Sequence, residues 1–424
     1  MTTTHPRKEL ANAVWAIFAA FGAYFCMYAF RKPFTSGSYT GLTILGADMK
    51  TMLVTSQVFG YMVSKFVGIK VVSELPPHRR ALALLVMIGV AELALVGFAL
   101  VPAPWNCLCL FLNGLPLGMV FGLVLGFLEG RKLTEALTAG LCASFILADG
   151  VMKSVGASLL QAGVSEFWMP AFAGALFMVP ILGFSWMLSR IQPPTSHDVE
   201  ARTERTTLNH VERKSLFQKY AVGLVLIVFT YLLVTILRSI RADFMPELWK
   251  GLGQTIDAKL FTTTEILVAI GVLMVQGSMV FIRNNRAAFF ISLATCLIGF
   301  ILLIVSLVCW NLGKISPYVL MVGLGFGLYL PYVAVHTTVF ERLLAMTRDK
   351  GTITYLMYLA DSFGYLGYVA VMLLRGWLGN QEHFKDFYFT LSWWFAIISI
   401  VSLAGVVWFF ARTGHQHSNK VSSV

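Results

Sequence analysis

Long apolar segments recur along the whole chain and alternate with short polar stretches rich in Lys and Arg. Each segment has at least the roughly 20 residues that an α-helix needs to cross the hydrocarbon core of a bilayer. The pattern therefore predicts an all-α membrane protein with twelve transmembrane helices. The predicted spans are 12–44, 50–73, 81–102, 105–128, 135–160, 167–190, 217–249, 258–282, 287–310, 315–340, 351–376 and 387–411.

The first and seventh predicted spans are too long for one straight crossing. A proline inside a helix removes one backbone donor, and its ring clashes with the preceding turn. We therefore expect the first span to break or tilt at Pro33 and the seventh at Pro246.

The longest polar stretch, residues 191–216, leaves six predicted spans on each side. This position predicts a six-helix N-terminal half at 1–190, a cytoplasmic linker at 191–216, a six-helix C-terminal half at 217–412 and a cytoplasmic tail at 413–424. Such a division is typical of membrane proteins built from two structural repeats.

Matching residues support a repeat within the chain. Arg31 and Arg238 occupy corresponding apolar stretches, and the Leu-Ala-Asp triplet ending at Asp149 returns as the triplet ending at Asp361. These two correspondences have nearly the same offset along the sequence. The sequence therefore predicts two pseudo-symmetric halves.

The distribution of basic residues predicts the orientation. Of the 32 Lys and Arg residues, 20 fall on one side of the predicted spans, and cytoplasmic loops carry such an excess. We expect both termini in the cytoplasm and the chain in the cell (inner) membrane. The net charge of +11 follows from this bias, so we expect no nucleic-acid partner.

Only 12% of the residues are charged, yet several charges fall inside the predicted spans. An arginine cannot lose its proton, so its burial in hydrocarbon costs several kcal/mol unless an anion meets it. Its planar group bonds two oxygens of a phosphate at once, and tyrosine hydroxyls add donors without charge. Two such arginines, one in each half, predict a shared site for a doubly charged anion, either phosphate or a phosphate ester.

The candidate substrate-binding residues are Arg31, Arg238, Lys32, Lys65, Tyr24, Tyr28, Tyr61 and Lys153. The candidate coupling or ion-pair residues are Asp149, Asp243, Glu265, Asp361 and His336.

Some of these residues have simpler interpretations. Arg31, Lys32 and Arg241 lie near predicted span ends, where long basic side chains can extend to the membrane surface.

The remaining charges can pair with each other or pack. Lys65 is a candidate for a structural ion pair with Glu265 or Asp149. Asp149 and Lys153 have the i,i+4 spacing of a helical ion pair. His336 is either a hydrogen-bonded packing residue or a proton carrier.

Three motifs resemble the major facilitator superfamily and, within it, the organophosphate:phosphate antiporters. Those proteins exchange glycerol-3-phosphate or hexose phosphates for inorganic phosphate. Their first helix carries two tyrosines and then Arg-Lys-Asn-Phe, which corresponds here to Tyr24, Tyr28 and residues 31–34. Their Tyr-x-x-Ser-Lys-Phe corresponds to residues 61–66, and their Leu-Arg followed by Asp, an aromatic residue and Pro corresponds to residues 237–246.

The resemblance implies that Arg31 and Arg238 hold the phosphate, surrounded by the lysines and tyrosines of the motifs. Three features depart from that family. Pro33 replaces its asparagine, the histidine of its fifth helix is not evident, and the loop at 68–80 is degenerate. The chain is also similar to an uncharacterised bacterial group of multi-pass proteins with Tyr-Ala-Phe-Arg-Lys-Pro-Phe.

The sequence therefore predicts a secondary transporter, acting as a monomer, whose halves rock about a midplane site. Exchange for phosphate is favoured, and a proton-coupled symporter of an organic anion is an alternative, as is a membrane sensor built on the same fold. We expect no enzyme, cofactor or metal site, since no nucleophile–base set or metal-binding cluster is apparent.

Overall fold

The computed structural model describes residues 6–44, 47–128, 134–192, 217–255, 257–347, 353–378 and 384–421. A short antiparallel pair, β1 (Thr43–Ile44) and β2 (Ala47–Asp48), precedes the second helix. The helices of the first half are α1 (Pro6–Met27), α2 (Met49–Glu74), α3 (Pro77–Leu100), α4 (Asn106–Leu125), α5 (Thr134–Gln161) and α6 (Met169–Ser189). Those of the second half are α7 (Ala221–Asp243), α8 (Met245–Gly251), α9 (Ala258–Ser278), α10 (Asn285–Asn311), α11 (Pro317–Ala334), α12 (Phe340–Thr347), α13 (Ile353–Leu378) and α14 (Phe384–Val421).

Eleven helical segments in the described part of the chain are long and apolar enough to cross a membrane. In one of them, a π-helical turn at Val335–Val339 joins α11 to α12. The helix α2 is also of spanning length at 26 residues, but it carries Lys50, Gln57 and Lys65 and so is less apolar. With α2, the long helical segments correspond to the twelve predicted spans.

The same packing pattern occurs in both halves. In the first half, α1 packs against α5 and α6, α2 against α4, and α3 against α4 and α6. In the second half, α7 packs against α13 and α14, α9 against α11, and α10 against α11 and α14. The halves meet along α2 with α13 and along α5 with α9, which are again equivalent pairs. This repetition confirms the predicted pseudo-symmetry.

The exact domain boundaries stay a prediction. Residues 193–216 of the predicted linker lie outside the described residues. The last helix runs to Val421, beyond the predicted end of the C-terminal half at residue 412.

Both expected breaks occur, one of them earlier than predicted. The first helix ends at Met27, and two 3-10 turns, Tyr28–Phe30 and Pro33–Ser36, follow it. An α-helix continuing through Pro33 would place the proline ring against the carbonyl four residues before it, so the helix ends upstream. The seventh span breaks between α7 and α8, and the first turn of α8 contains Pro246.

Two glycines allow α2 and α4 to approach closely. A Cβ atom at Gly60 would lie 2.1 Å from the carbonyl oxygen of Phe111, and one at Gly114 would lie 2.1 Å from that of Gln57. Small residues at helix contacts let backbones pack tightly within membranes. This approach brings the amides of Gln57 and Asn113 within 2.7 Å of each other beside the broken first span.

Candidate functional site

Arg31 lies at the break in the first span, directly after the 3-10 turn Tyr28–Phe30. Side-chain amides bond to carbonyls at this break: Asn113 Nδ2 donates to Phe30 O at 3.0 Å, and Gln57 Nε2 donates to Arg31 O at 3.1 Å. Irregular backbone at membrane depth is tolerated where the protein supplies such partners. These amides therefore support the turn that carries Arg31.

Tyrosine rings surround both predicted arginines. The guanidinium carbon of Arg31 lies 4.0 Å from the ring centroid of Tyr61, and that of Arg238 lies 4.3 Å from the ring centroid of Tyr332. Tyr365 contacts both groups: its ring centroid is 6.0 Å from the Arg31 carbon, and its hydroxyl accepts from Arg238 Nη2 at 3.4 Å. The two arginines, from opposite halves, therefore converge on one tyrosine.

Neither guanidinium group has a carboxylate partner among the described residues. Both arginines are only 4% exposed, and Arg238 Nε has no hydrogen-bond partner within the described ranges. A cation–π contact contributes about 0.5–2 kcal/mol. Leaving a buried charge unpaired costs about 3–5 kcal/mol, so the rings alone compensate only partly for burying the two guanidinium charges.

A comparison of the charges identifies the same two residues. The set compared is Arg31, Lys32, Lys65, Lys153, Arg238 and Arg241 against Asp149, Asp243, Glu265 and Asp361. In the structure each of the four carboxylates is paired with a lysine or with Arg241. Of these six basic residues, Arg31 and Arg238 are the two without a salt bridge to a carboxylate among the described residues, and their summed charge of two matches a dianion.

Lys32 and Lys153 are held by carboxylates. Lys32 Nζ lies 2.5 Å from Asp243 Oδ1 and 3.2 Å from Asp149 Oδ1. The predicted i,i+4 ion pair between Lys153 and Asp149 is present. Since both ammonium groups have acidic partners, a direct role for them in binding substrate stays a prediction.

The alternative of an ion pair between Lys65 and Glu265 or Asp149 requires correction. Lys65 Nζ lies 2.8 Å from Asp361 Oδ2. Glu265 instead pairs with Arg241 at 2.7 Å, and Arg241 is 1% exposed. Extension to the membrane surface is therefore also wrong for Arg241, and the burial of Arg31 and Lys32 argues against it for them as well.

Three ion pairs join the two halves within the described residues. In each of them the first half supplies a lysine and the second half supplies a carboxylate. The pairs are Lys32 with Asp243, Lys50 with Glu247, and Lys65 with Asp361. The pair of Lys50 and Glu247 could not be predicted from the sequence, because nothing in the local pattern relates two residues so far apart.

A small cavity lies between the halves, enclosed partly by the tyrosines that contact the arginines. Six of its lining residues were predicted from the sequence: Tyr24, Tyr28, Tyr61, Lys65, Asp361 and His336. The other four are Phe121, Phe145, Tyr332 and Tyr365. The cavity therefore combines aromatic walls with one basic, one acidic and one imidazole group.

His336 lies in the π-helical turn between α11 and α12. Its Nδ1 is 3.1 Å from the carbonyl oxygen of Tyr332, and its Nε2 is 3.3 Å from the hydroxyl of Tyr231 and 3.5 Å from Asp361 Oδ1. Single π-helical turns often occur at functional positions in helices. Here the turn contains the histidine that faces the cavity.

Tyr365 and Tyr332 were absent from the predicted site. A signal for Tyr365 exists in the sequence, because Tyr358, Asp361, Tyr365 and Tyr368 follow the spacing of one helix face. Tyr332 has a weaker signal, since it precedes His336 by four residues and so lies on the same side of its helix.

Two solved transporters have similar structures. A D-xylose-proton symporter aligns with a TM-score of 0.64 and 12% sequence identity, over 93% of this chain and 96% of that chain. The nucleoside transporter NupG aligns with a TM-score of 0.60 and 15% identity, over 94% of this chain and 100% of that chain. At these identities the comparison shows the fold, and it confirms the predicted all-α membrane fold.

Sequence comparison gives a family without an assigned activity. No curated protein matches the sequence. A family model described as "Family of unknown function (DUF5690)" matches residues 33–413. Because this match covers most of the chain, the protein belongs to the DUF5690 family.

Proposed function

We propose that the protein is a secondary transporter of a small dianion, inorganic phosphate or a phosphate ester, which it exchanges for phosphate. The observation that carries the proposal is the pair of buried arginines, Arg31 and Arg238, that converge on Tyr365 without a carboxylate partner among the described residues. A planar guanidinium group suits the oxygens of phosphate, and two such groups balance two negative charges.

The packing of the halves supports movement of the ligand by alternating access. The candidate site lies between two pseudo-symmetric halves that meet along two equivalent helix pairs. Rocking of one half against the other would open the site to each side in turn. The site is built from one chain, so a monomer suffices, and the Lys and Arg distribution favours the inner membrane with both termini in the cytoplasm.

A membrane sensor with the same fold is the main alternative, since it would bind the same anion without moving it. Exchange of labelled phosphate by the purified protein in lipid vesicles distinguishes the two functions. We expect labelled phosphate outside the vesicles to enter only when they contain unlabelled phosphate or a phosphate ester. Binding without exchange would favour the sensor.

Substitution of the arginines tests the site itself. Arg31→Lys and Arg238→Lys keep the positive charge but lose the two-pronged geometry, so we expect each to weaken phosphate binding at least tenfold, about 1.4 kcal/mol. Arg190→Lys is a matched control, because Arg190 is exposed at the end of α6. Wild-type affinity in both folded site variants would refute the proposed site.

A further inference from the structure

The two ring nitrogens of His336 both face oxygen atoms. Nδ1 faces the carbonyl oxygen of Tyr332, which only accepts hydrogen bonds, so Nδ1 carries a proton. Nε2 faces the hydroxyl oxygen of Tyr231 and the carboxylate of Asp361. The protonation of Nε2 therefore depends on where the Tyr231 hydroxyl proton points.

Tyr231 directs its proton to the carboxylate. Its hydroxyl donates to Asp361 Oδ1 at 2.5 Å, shorter than the 3.3 Å that separates it from His336 Nε2. A lone pair on Nε2 would then point at two oxygens that offer it no proton. A proton on Nε2 instead donates to the same oxygens, so the arrangement suits a histidine protonated on both nitrogens. Losing that proton requires the Tyr231 hydroxyl to turn from Asp361 to His336.

Among the described residues, Asp361 is the carboxylate that can balance a positive charge on the imidazole. The other groups that pack against the ring carry no charge. Phe121 of α4 and Phe145 of α5 present aromatic rings to it. Tyr332 and Tyr231 are neutral donors or acceptors, and both rings lie beside the imidazole at tilted angles. Further titratable groups near Asp361 are Cys142 of α5, Tyr61 of α2 and Tyr365 of α13. Lys65 of α2 forms an ion pair with the other carboxylate oxygen of Asp361, Oδ2.

We propose that His336, with Tyr231 and Asp361, forms a proton-binding site whose occupancy is linked to that of the anion in the cavity. The proposal rests on the proposed anion transport. His336 and Asp361 line the same cavity as Tyr28, Tyr61 and Tyr365, whose rings contact Arg31. The proton goes from water to His336 Nε2 and returns to water when the anion leaves on the other side.

Asp361 links this proton to the two halves. Its Oδ2 pairs with Lys65 of the first half, while its Oδ1 faces Tyr231 and His336 of the second half. When His336 is protonated, the single carboxylate is shared between two cations. Lys65 is then less strongly held and can turn toward an anion in the cavity. Anion binding and proton binding therefore favour each other, as reciprocal linkage requires.

Calorimetry with inorganic phosphate tests this coupling in the purified full-length protein. Binding heats measured at pH 6.5 in two buffers with different ionisation heats give the number of protons taken up for each phosphate bound. Phosphate itself titrates near this pH, but its contribution is common to all variants. We expect the wild type to take up more protons per phosphate than His336→Gln, by up to about one, because the variant lacks the imidazole that accepts the proton.

His78→Gln is the matched control. His78 is exposed at the start of α3, so this variant should take up as many protons as the wild type. His336→Asn is a second neutral replacement in case the glutamine does not fit the π-helical turn. Both His336 variants should still bind phosphate within about tenfold of the wild type, since the arginines remain.

Equal proton uptake by the wild type and a phosphate-binding His336 variant would overturn the proton site and leave anion transport standing. Loss of phosphate binding in both folded His336 variants would also overturn it, because His336 would then belong to the anion site itself. Absence of phosphate binding by the wild type would instead refute the proposed function.

Discussion

Lys65 is the lysine that both lines the cavity and joins the two halves. Its ammonium group lies 2.8 Å from Asp361 and within 5.6 Å of the ring centroids of Tyr61, Phe121 and Tyr358. These contacts suit a residue that stabilises the contact between the halves. They also suit one that turns to an anion when the carboxylate is neutralised by another cation.

A double variant separates these two roles of Lys65. Lys65→Met alone leaves Asp361 buried without its lysine, and we expect it to lower the free energy of unfolding by about 3–5 kcal/mol. Lys65→Met with Asp361→Asn removes the pair together and should recover most of this loss. We expect the double variant to remain defective in phosphate binding, because Lys65 also serves the anion. Wild-type binding by the stable double variant would limit Lys65 to a structural role.

The sequence identifies the arginines better than the partners of the lysines. Arg31 and Arg238 are recognisable because arginine stays charged wherever it lies, so its presence in an apolar stretch already implies an anion. The partner of Lys65 was predicted wrongly, because ion pairs between helices depend on how those helices are rotated and shifted against each other. Hydrophobic periodicity alone does not specify that arrangement.

At the scale of the helices, the contact between α2 and α4 positions the broken end of the first span. Gln57 and Asn113, one from each helix, bond to the carbonyls of Arg31 and Phe30. Pro33 predicted a break, but the sequence did not show that amides from two other helices would support it. The position where α1 ends therefore depends on tertiary contacts as well as on the proline.

Gly60→Ala tests the close approach of α2 to α4. The added Cβ would lie 2.1 Å from a backbone oxygen, so one helix must move. We expect a loss of about 1–3 kcal/mol, typical of overpacking, measured as a lower melting temperature in detergent. Gly89→Ala is the control, because a Cβ there meets nothing within 4 Å and alanine favours a helix. Equal melting temperatures for the two variants would contradict the close contact.

For the whole molecule, the two-half architecture could be predicted because hydropathy, the long polar stretch and the matched residues agree with each other. The equivalent packing of α2 with α13 and of α5 with α9 shows that the repeat extends to the interface. The substrate is less accessible to this reasoning and stays a proposal, since proteins with the same fold bind different substrates.

Labelling of single cysteines in intact cells tests the orientation. In a variant without the six native cysteines, His78→Cys should react only after the cytoplasm is made accessible, and Lys314→Cys should react from outside. Both positions are exposed, His78 at the start of α3 and Lys314 between α10 and α11. The reverse labelling pattern would invert the proposed topology.

In the three ion pairs between the halves within the described residues, the lysines all belong to the first half and the carboxylates to the second. A second copy of the first half lacks Asp243, Glu247 and Asp361, so it could not form these pairs. A buried charge that loses its partner costs about 3–5 kcal/mol. If the connection between the halves were cut, each half should therefore associate with the other in preference to a copy of itself.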